Sequence, residues 1–262
     1  MSHPAIHGAP VSAPGSESRQ LPSRRELLLA GGAGALGAAL ASAPAALAEP
    51  TKQTGAASQQ ALNVAATVEV LTTVVTTTAL RKLKLPAAAV DTVGAASREE
   101  LLHFDVLTRQ FGAHPATTRV WIPDALFKSP NALFSGLVVG EQICIDLYLV
   151  ATTVWAAAGS PTMARVGAEL VGNEGVHRAL ARQALGLQPN DRAFMKFDQA
   201  EQADGPGHGS KGFTKAIGAI KSFEAAGFGF GAKGKEPGAF YDFDKVRRHT
   251  PNPGFVNTRK PR

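Results

Sequence analysis

The chain alternates between long, nearly uncharged runs and short breaks of proline, glycine and serine. Between Lys52 and Arg81 the only charged residue is Glu69. Between Lys128 and Arg165 the only ones are Glu141 and Asp146. Apolar runs this long exceed an ordinary strand, so they predict helices, although the β-branched stretch Val70 to Thr78 would read as a strand in isolation. The first helix is expected over Ser58–Leu83. Lys84-Leu85-Pro86 breaks it, with the proline placed to open a second helix, Pro86–Phe111, that Gly112 ends. Ser129-Pro130 pairs a capping residue with proline at the first helical position, and starts a third helix that runs to about Ala158. Gly159-Ser160-Pro161 repeats the device for a fourth, ending near Gly186. Each helix would be roughly 33 Å long or longer at 1.5 Å per residue.

The first and third connections are short, which fits antiparallel neighbours. The second, Ala113 to Ser129, holds two prolines and the bulky cluster Val120-Trp121-Ile122-Pro123. It is long enough to run the length of a helix. The expected fold class is therefore all-α: a four-helix bundle over residues 57–186 with a long crossover between helices 2 and 3. Beyond Gly186 the chain turns polar and Gly-rich. A short amphipathic helix, Phe213–Ala226, precedes Phe228-Gly229-Phe230-Gly231 and a Pro- and Arg-rich end. Residues 187–262 read as an irregular C-terminal extension that wraps the bundle or serves assembly, with His208 and His249 solvated.

Set on these helices is an ordered series: Glu69, Glu100-Leu101-Leu102-His103, Glu141, Glu174-Gly175-Val176-His177. A lone glutamate precedes each Glu-x-x-His pair, by 31 and 33 residues. On a helix, positions i and i+3 share a face, so each pair offers one carboxylate and one imidazole to the same point. Composition alone gives roughly 0.3 such pairs by chance, so one would mean little and two in register mean much more. A carboxylate inside an apolar helix is expensive to bury unless it is neutralised or bound to metal. Four carboxylates and two imidazoles converging on one small volume are the ligand set of a two-metal site. Glu99, four residues before His103, and Asn173, four before His177, are placed to accept the second ring N–H of a ligating histidine; a partly exposed flank is the equal alternative for each. Asp146 either serves the site or pairs with a basic residue. Cys144 is the lone cysteine, so no internal disulfide forms, and it reads as a buried thiol rather than a ligand.

Residues 1–48 read as an export signal. Ser23-Arg24-Arg25-Glu26-Leu27-Leu28-Leu29 matches a twin-arginine pattern, a weakly apolar run follows to Leu47, and Ala46-Leu47-Ala48 has the small-x-small form of a cleavage site. Retention as a membrane anchor is the competing reading, opposed by Pro44 and many glycines. Gly32-Ala33-Gly34-Ala35-Leu36-Gly37 fits G-x-G-x-x-G but follows no strand, so it is not read as a nucleotide site. Cleavage would leave about 214 residues with a net charge of about +5, enriched in the C-terminal tail. No basic stripe with aromatics is present, so nucleic acid is not an expected partner. Contact with an anionic envelope surface and assembly into a homo-oligomer stay open.

The segment Ala57–Gly186, about half the chain, resembles the ferritin-like domain of bacterial exported proteins related to desiccation-related proteins. The resemblance rests on the ligand series, the crossover and the signal. It implies that Glu69 and Glu141 are terminal ligands, Glu100 and Glu174 bridge two metals, and His103 and His177 serve one metal each. It further implies two iron ions, or two manganese ions, and oxidase or ferroxidase chemistry on O2 or peroxide with an unknown reductant or substrate. Export by the twin-arginine route to the periplasm or cell exterior goes with it. The alternative is a non-catalytic envelope protein for stress protection or structure, built on the same bundle.

Overall fold

The computed structural model describes residues 55–191 and 212–258. The expected signal at 1–48, its cleavage site, the rejected glycine motif and His208 lie outside the described residues. The described chain is mainly helical, with one small antiparallel sheet.

Four long helices dominate: α1 (Gly55–Lys82), α2 (Ala87–Asp105), α3 (Pro130–Ala157) and α4 (Pro161–Ala184). α1 packs on α2 and α3, α3 packs along α4, and α2 meets α4, so each long helix has two long neighbours. The threonine-rich stretch of α1 is helical despite its low propensity because almost every side of it is buried. Leu62, Ala65, Val68, Leu71 and Val74 are all 2 % exposed or less. Two of its hydroxyls bond back within the helix, Thr67 donating to the Asn63 carbonyl at 2.7 Å and Thr76 to that of Thr72 at 2.8 Å, while Thr73 Oγ1 has no hydrogen-bond partner among the described residues.

The helix ends follow their chemistry. Pro86 sits just outside α2, one residue before its first turn. At the other end α2 widens into a π turn, Val106–Gln110, and Gly112 at φ 71° turns the chain away. Ser129 Oγ accepts the Ala132 N–H at 3.1 Å to start α3.

The crossover is more structured than an all-α fold anticipates. It contains β1 (Arg119–Pro123) and a 3-10 turn, Asp124–Phe127. β1 lies between two strands from the far end of the chain, β2 (Gly229–Phe230) and β3 (Gly238–Asp242), antiparallel to both. Val120 pairs with Phe230 on one side and Tyr241 on the other. A five-residue strand carries too little pattern to be told from a bulky loop, and its partners lie more than 100 positions away.

The extension is likewise not irregular where it is described. α5 (Ile217–Ala225) buries Ala219 and Phe223 in the main core, and the short α6 (Phe243–Val246) buries Phe243 against Phe104 at 4.6 Å between ring centroids. Thr250 reaches the Thr77 hydroxyl at 2.9 Å, and Thr77 in turn bonds Ser97 at 2.6 Å. The described residues past 212 therefore share one core with the long helices. His249 is exposed, at the end of a 3-10 turn. After α4, buried Arg178 grips Asp191 through two hydrogen bonds of 2.8 and 3.0 Å, a planar fork-to-carboxylate match.

Candidate metal centre

The six residues of the ligand series meet in one place. Glu69 comes from α1, Glu100 and His103 from α2, Glu141 from α3, and Glu174 and His177 from α4. None is more than 8 % exposed. They form two groups, Glu69–Glu100–His103–Glu174 and Glu100–Glu141–Glu174–His177, and within each group one donor atom per residue lies within 4.8 Å of the others. Glu100 and Glu174 belong to both. Each histidine belongs to one.

Both imidazoles turn Nδ1 inward. His103 Nδ1 lies 3.2 Å from Glu174, 3.6 Å from Glu100 and 3.7 Å from Glu69. His177 Nδ1 lies 3.1 Å from Glu100, 3.2 Å from Glu174 and 4.0 Å from Glu141. The rings face one another at 6.3 Å with a 26° tilt. The helix spacing that makes i and i+3 neighbours places each Glu and His of a pair on one side, and the packing of α2 on α4 brings the pairs together.

Electrostatics divides the carboxylates into two kinds. Burial, reinforced by the charge of Glu100, pushes Glu69 well above the usual glutamate range; burial with Glu100 and Glu174 does the same for Glu141. Burial also works against ionisation of Glu100 and Glu174, but hydrogen bonds from His103 and His177 outweigh it and hold both below that range. For the histidines burial opposes the charge, while bonds to Glu100, Glu174 and a third glutamate win and raise both. The metal-free environment thus favours ionised Glu100 and Glu174 beside protonated imidazoles, and favours protons on Glu69 and Glu141.

Two side chains outside the series complete it. The Tyr148 hydroxyl donates to Glu69 Oε1. Thr72 Oγ1 lies 3.2 Å from Glu69 Oε2 and 3.1 Å from Glu100 Oε2. A hydroxyl has one proton, so with Glu69 protonated the consistent chain runs Glu69 to Thr72 to Glu100. Both residues carry a sequence signal. Thr72 follows Glu69 by three positions, and Tyr148 follows Glu141 by seven, two turns along the same face.

Glu99 does not serve its own helix's histidine. Its Oε2 lies 2.8 Å from His177 Nε2, across the interface between α2 and α4. Side chains on a helix i and i+4 apart run parallel, whereas this bond needs two rings of ligands facing each other. Asn173, the corresponding residue of α4, has its Oδ1 buried without a hydrogen-bond partner among the described residues. Asp146 is held by Gln142 at 2.9 Å and lies outside both ligand groups. Cys144 is a buried free thiol whose ionisation is opposed by burial and then by Glu174 and Glu141, so it stays protonated and is in neither group.

The donor set fits a pair of divalent cations. Glu100 Oε1, Glu141 Oε2 and Glu174 Oε1 are buried carboxylate oxygens without a well-aligned hydrogen bond among the described residues, Glu100 Oε1 and Glu174 Oε1 facing a histidine Nδ1 at 3.1 and 3.2 Å. Carboxylate oxygens gathered this closely are costly to bury unless something electropositive lies between them. On the His103 side the cluster borders a cavity of about 310 Å³ lined by Glu99, Asp105, Glu169, Asn173 and Asn257. On the side of Glu141 and His177 the void is only about 20 Å³, walled mainly by apolar groups such as Val93, Phe134 and Leu137.

Comparison with known protein families, with curated proteins and with solved structures finds no match.

Proposed function

We propose that this protein is a di-metal carboxylate protein, a ferritin-like four-helix bundle that holds two iron ions and uses them to oxidise a substrate with O2 or peroxide. One observation carries the reading: two ligand groups share Glu100 and Glu174, and each adds its own histidine and its own terminal glutamate. Glu69 with His103 would complete one position and Glu141 with His177 the other. When bound, a redox-active metal pair would supply the electrons that reduce O2 or peroxide. The chain's own residues bind and orient the pair, keep bulk water from the buried carboxylates, and orient Glu69 through the hydroxyls of Tyr148 and Thr72. Oxygen-rich ligation with two imidazoles also accepts manganese, which would favour peroxide disproportionation. The twin-arginine pattern fits this cargo, because that route carries folded, loaded proteins to the periplasm or beyond.

Elemental analysis of protein exported by its native host tests the reading. About two iron or manganese atoms per chain support it and name the metal. Anaerobic Fe(II) uptake followed by O2 consumption then measures the chemistry. No metal, and no uptake on anaerobic reconstitution, refutes it. A non-catalytic envelope protein has one feature in its favour: burial and the neighbouring glutamates favour protons on Glu69 and Glu141, which lowers the cost of the metal-free state. Alanine at Glu100 and Glu174 separates the two, because a structural protein would show unchanged activity and no shift of its melting temperature on metal addition.

A further inference from the structure

The two halves of the cluster are related by an internal repeat, Glu99-Glu100-x-x-His103 on α2 and Asn173-Glu174-x-x-His177 on α4. The repeat is broken at one position. Glu99 reaches across to His177, placing a carboxylate on the outer nitrogen of that ring at 2.8 Å. The equivalent residue on the other side is Asn173, a neutral amide that lines the same cavity as His103. Its buried Oδ1 has no partner among the described residues. The His103 side chain is 10 % exposed and that of His177 3 %. His103 faces the cavity of about 310 Å³, His177 the void of about 20 Å³.

We propose that the two metal positions are inequivalent: the His177 position is the tight, resident one, and the His103 position is the weaker one, through which a divalent cation enters and leaves by way of the cavity. The inference rests on the di-metal reading. Its physical basis is the outer hydrogen bond. A carboxylate accepting the Nε2 proton fixes the tautomer with the Nδ1 lone pair turned inward, locks the ring plane and makes that lone pair a stronger donor. Asn173 Oδ1 makes no such bond among the described residues. The cavity then gives exchange a path on the same side as the weaker ligand, and its lining includes the carboxylates of Asp105 and Glu169, which attract a hydrated cation. Glu99 is thus a positioning residue for His177, and Asn173 leaves His103 without an equivalent.

Anaerobic titration of the full, metal-free chain with Co(II), followed by calorimetry and visible absorption, tests this. The wild-type protein is expected to take up two Co(II) in two steps. Glu99→Gln weakens the tighter step by about 10- to 100-fold and leaves the weaker one in place. Asn173→Asp strengthens the weaker step, and the double variant reverses which position fills first. Both changes are isosteric, and circular dichroism checks the fold; if Glu99→Gln does not fold, Asn173→Asp decides alone. Two Co(II) bound with Glu99→Gln leaving the tight step unchanged, or Asn173→Asp leaving the weak step unchanged, overturns the inequivalence and leaves the di-metal reading standing. No Co(II) uptake by the wild-type chain overturns both.

Discussion

Under the proposed di-metal reading, metal loading would exchange protons for cations, and the expected number follows from the site. In the metal-free cluster the environment favours ionised Glu100 and Glu174 and favours protons on His103, His177, Glu69 and Glu141. That cluster has no net charge. Four carboxylates, two neutral imidazoles and two divalent cations also have none. A buried volume with no water to screen it favours neutrality in both states. Loading would therefore displace the two imidazolium protons and the two carboxyl protons, about two per ion while those four groups hold their protons. The assay is calorimetric titration with Co(II) or Mn(II) at one pH in two buffers of different ionisation enthalpy, the difference in apparent heat giving the count. The logarithm of the affinity should climb by about two per pH unit for each ion while those four groups remain protonated. Release of less than one proton per ion at that pH would mean that the carboxylates and imidazoles are already deprotonated in the metal-free protein. The charge assignment would then be wrong.

Metal-free stability should fall as pH rises, and metal should reverse the slope. His103 and His177 are raised above 6.5, so their ion pairs stabilise fully below that value and fade as pH climbs through the folded values. Glu69 and Glu141, raised above 4.5, act in the same direction from there upward, while Glu100 and Glu174, lowered, contribute above 4.5 and are lost on acidification. Melting curves of both forms across this range check it; a metal-free melting temperature that climbs steadily above pH 6.5 contradicts it. Tyr148→Phe removes the donor to buried Glu69 Oε1 and should cost about 1–3 kcal/mol in urea unfolding of the metal-free chain, with no loss meaning that the hydroxyl is dispensable. Phe243→Ala should cost about 3–5 kcal/mol, since the ring is 1 % exposed and packs on Phe104; a neutral result would detach α6 from the core.

The sequence by itself determined the four long helices and the six residues that cluster between them. Helix ends were legible because caps are local chemistry: Ser129 before Pro130, glycine at 112, 159 and 186, each at positive φ. The six ligands were legible because a helix fixes which positions share a face, and because a lone carboxylate in an apolar run has few other reasons to be there. Even the helical state of Val70 to Thr78 could be read from the length of its run, against its propensity. Only the tertiary structure decided what depends on which elements meet. Glu99 belongs with His177 rather than with His103, since a hydrogen bond between facing helices has no period along either one. Tyr148 reaches Glu69 across 79 positions, and β1 finds both partners at the far end of the chain, giving the extension a place in the core. Such contacts are set by the packing of whole faces, and a short strand or single polar residue carries too little local pattern to announce them.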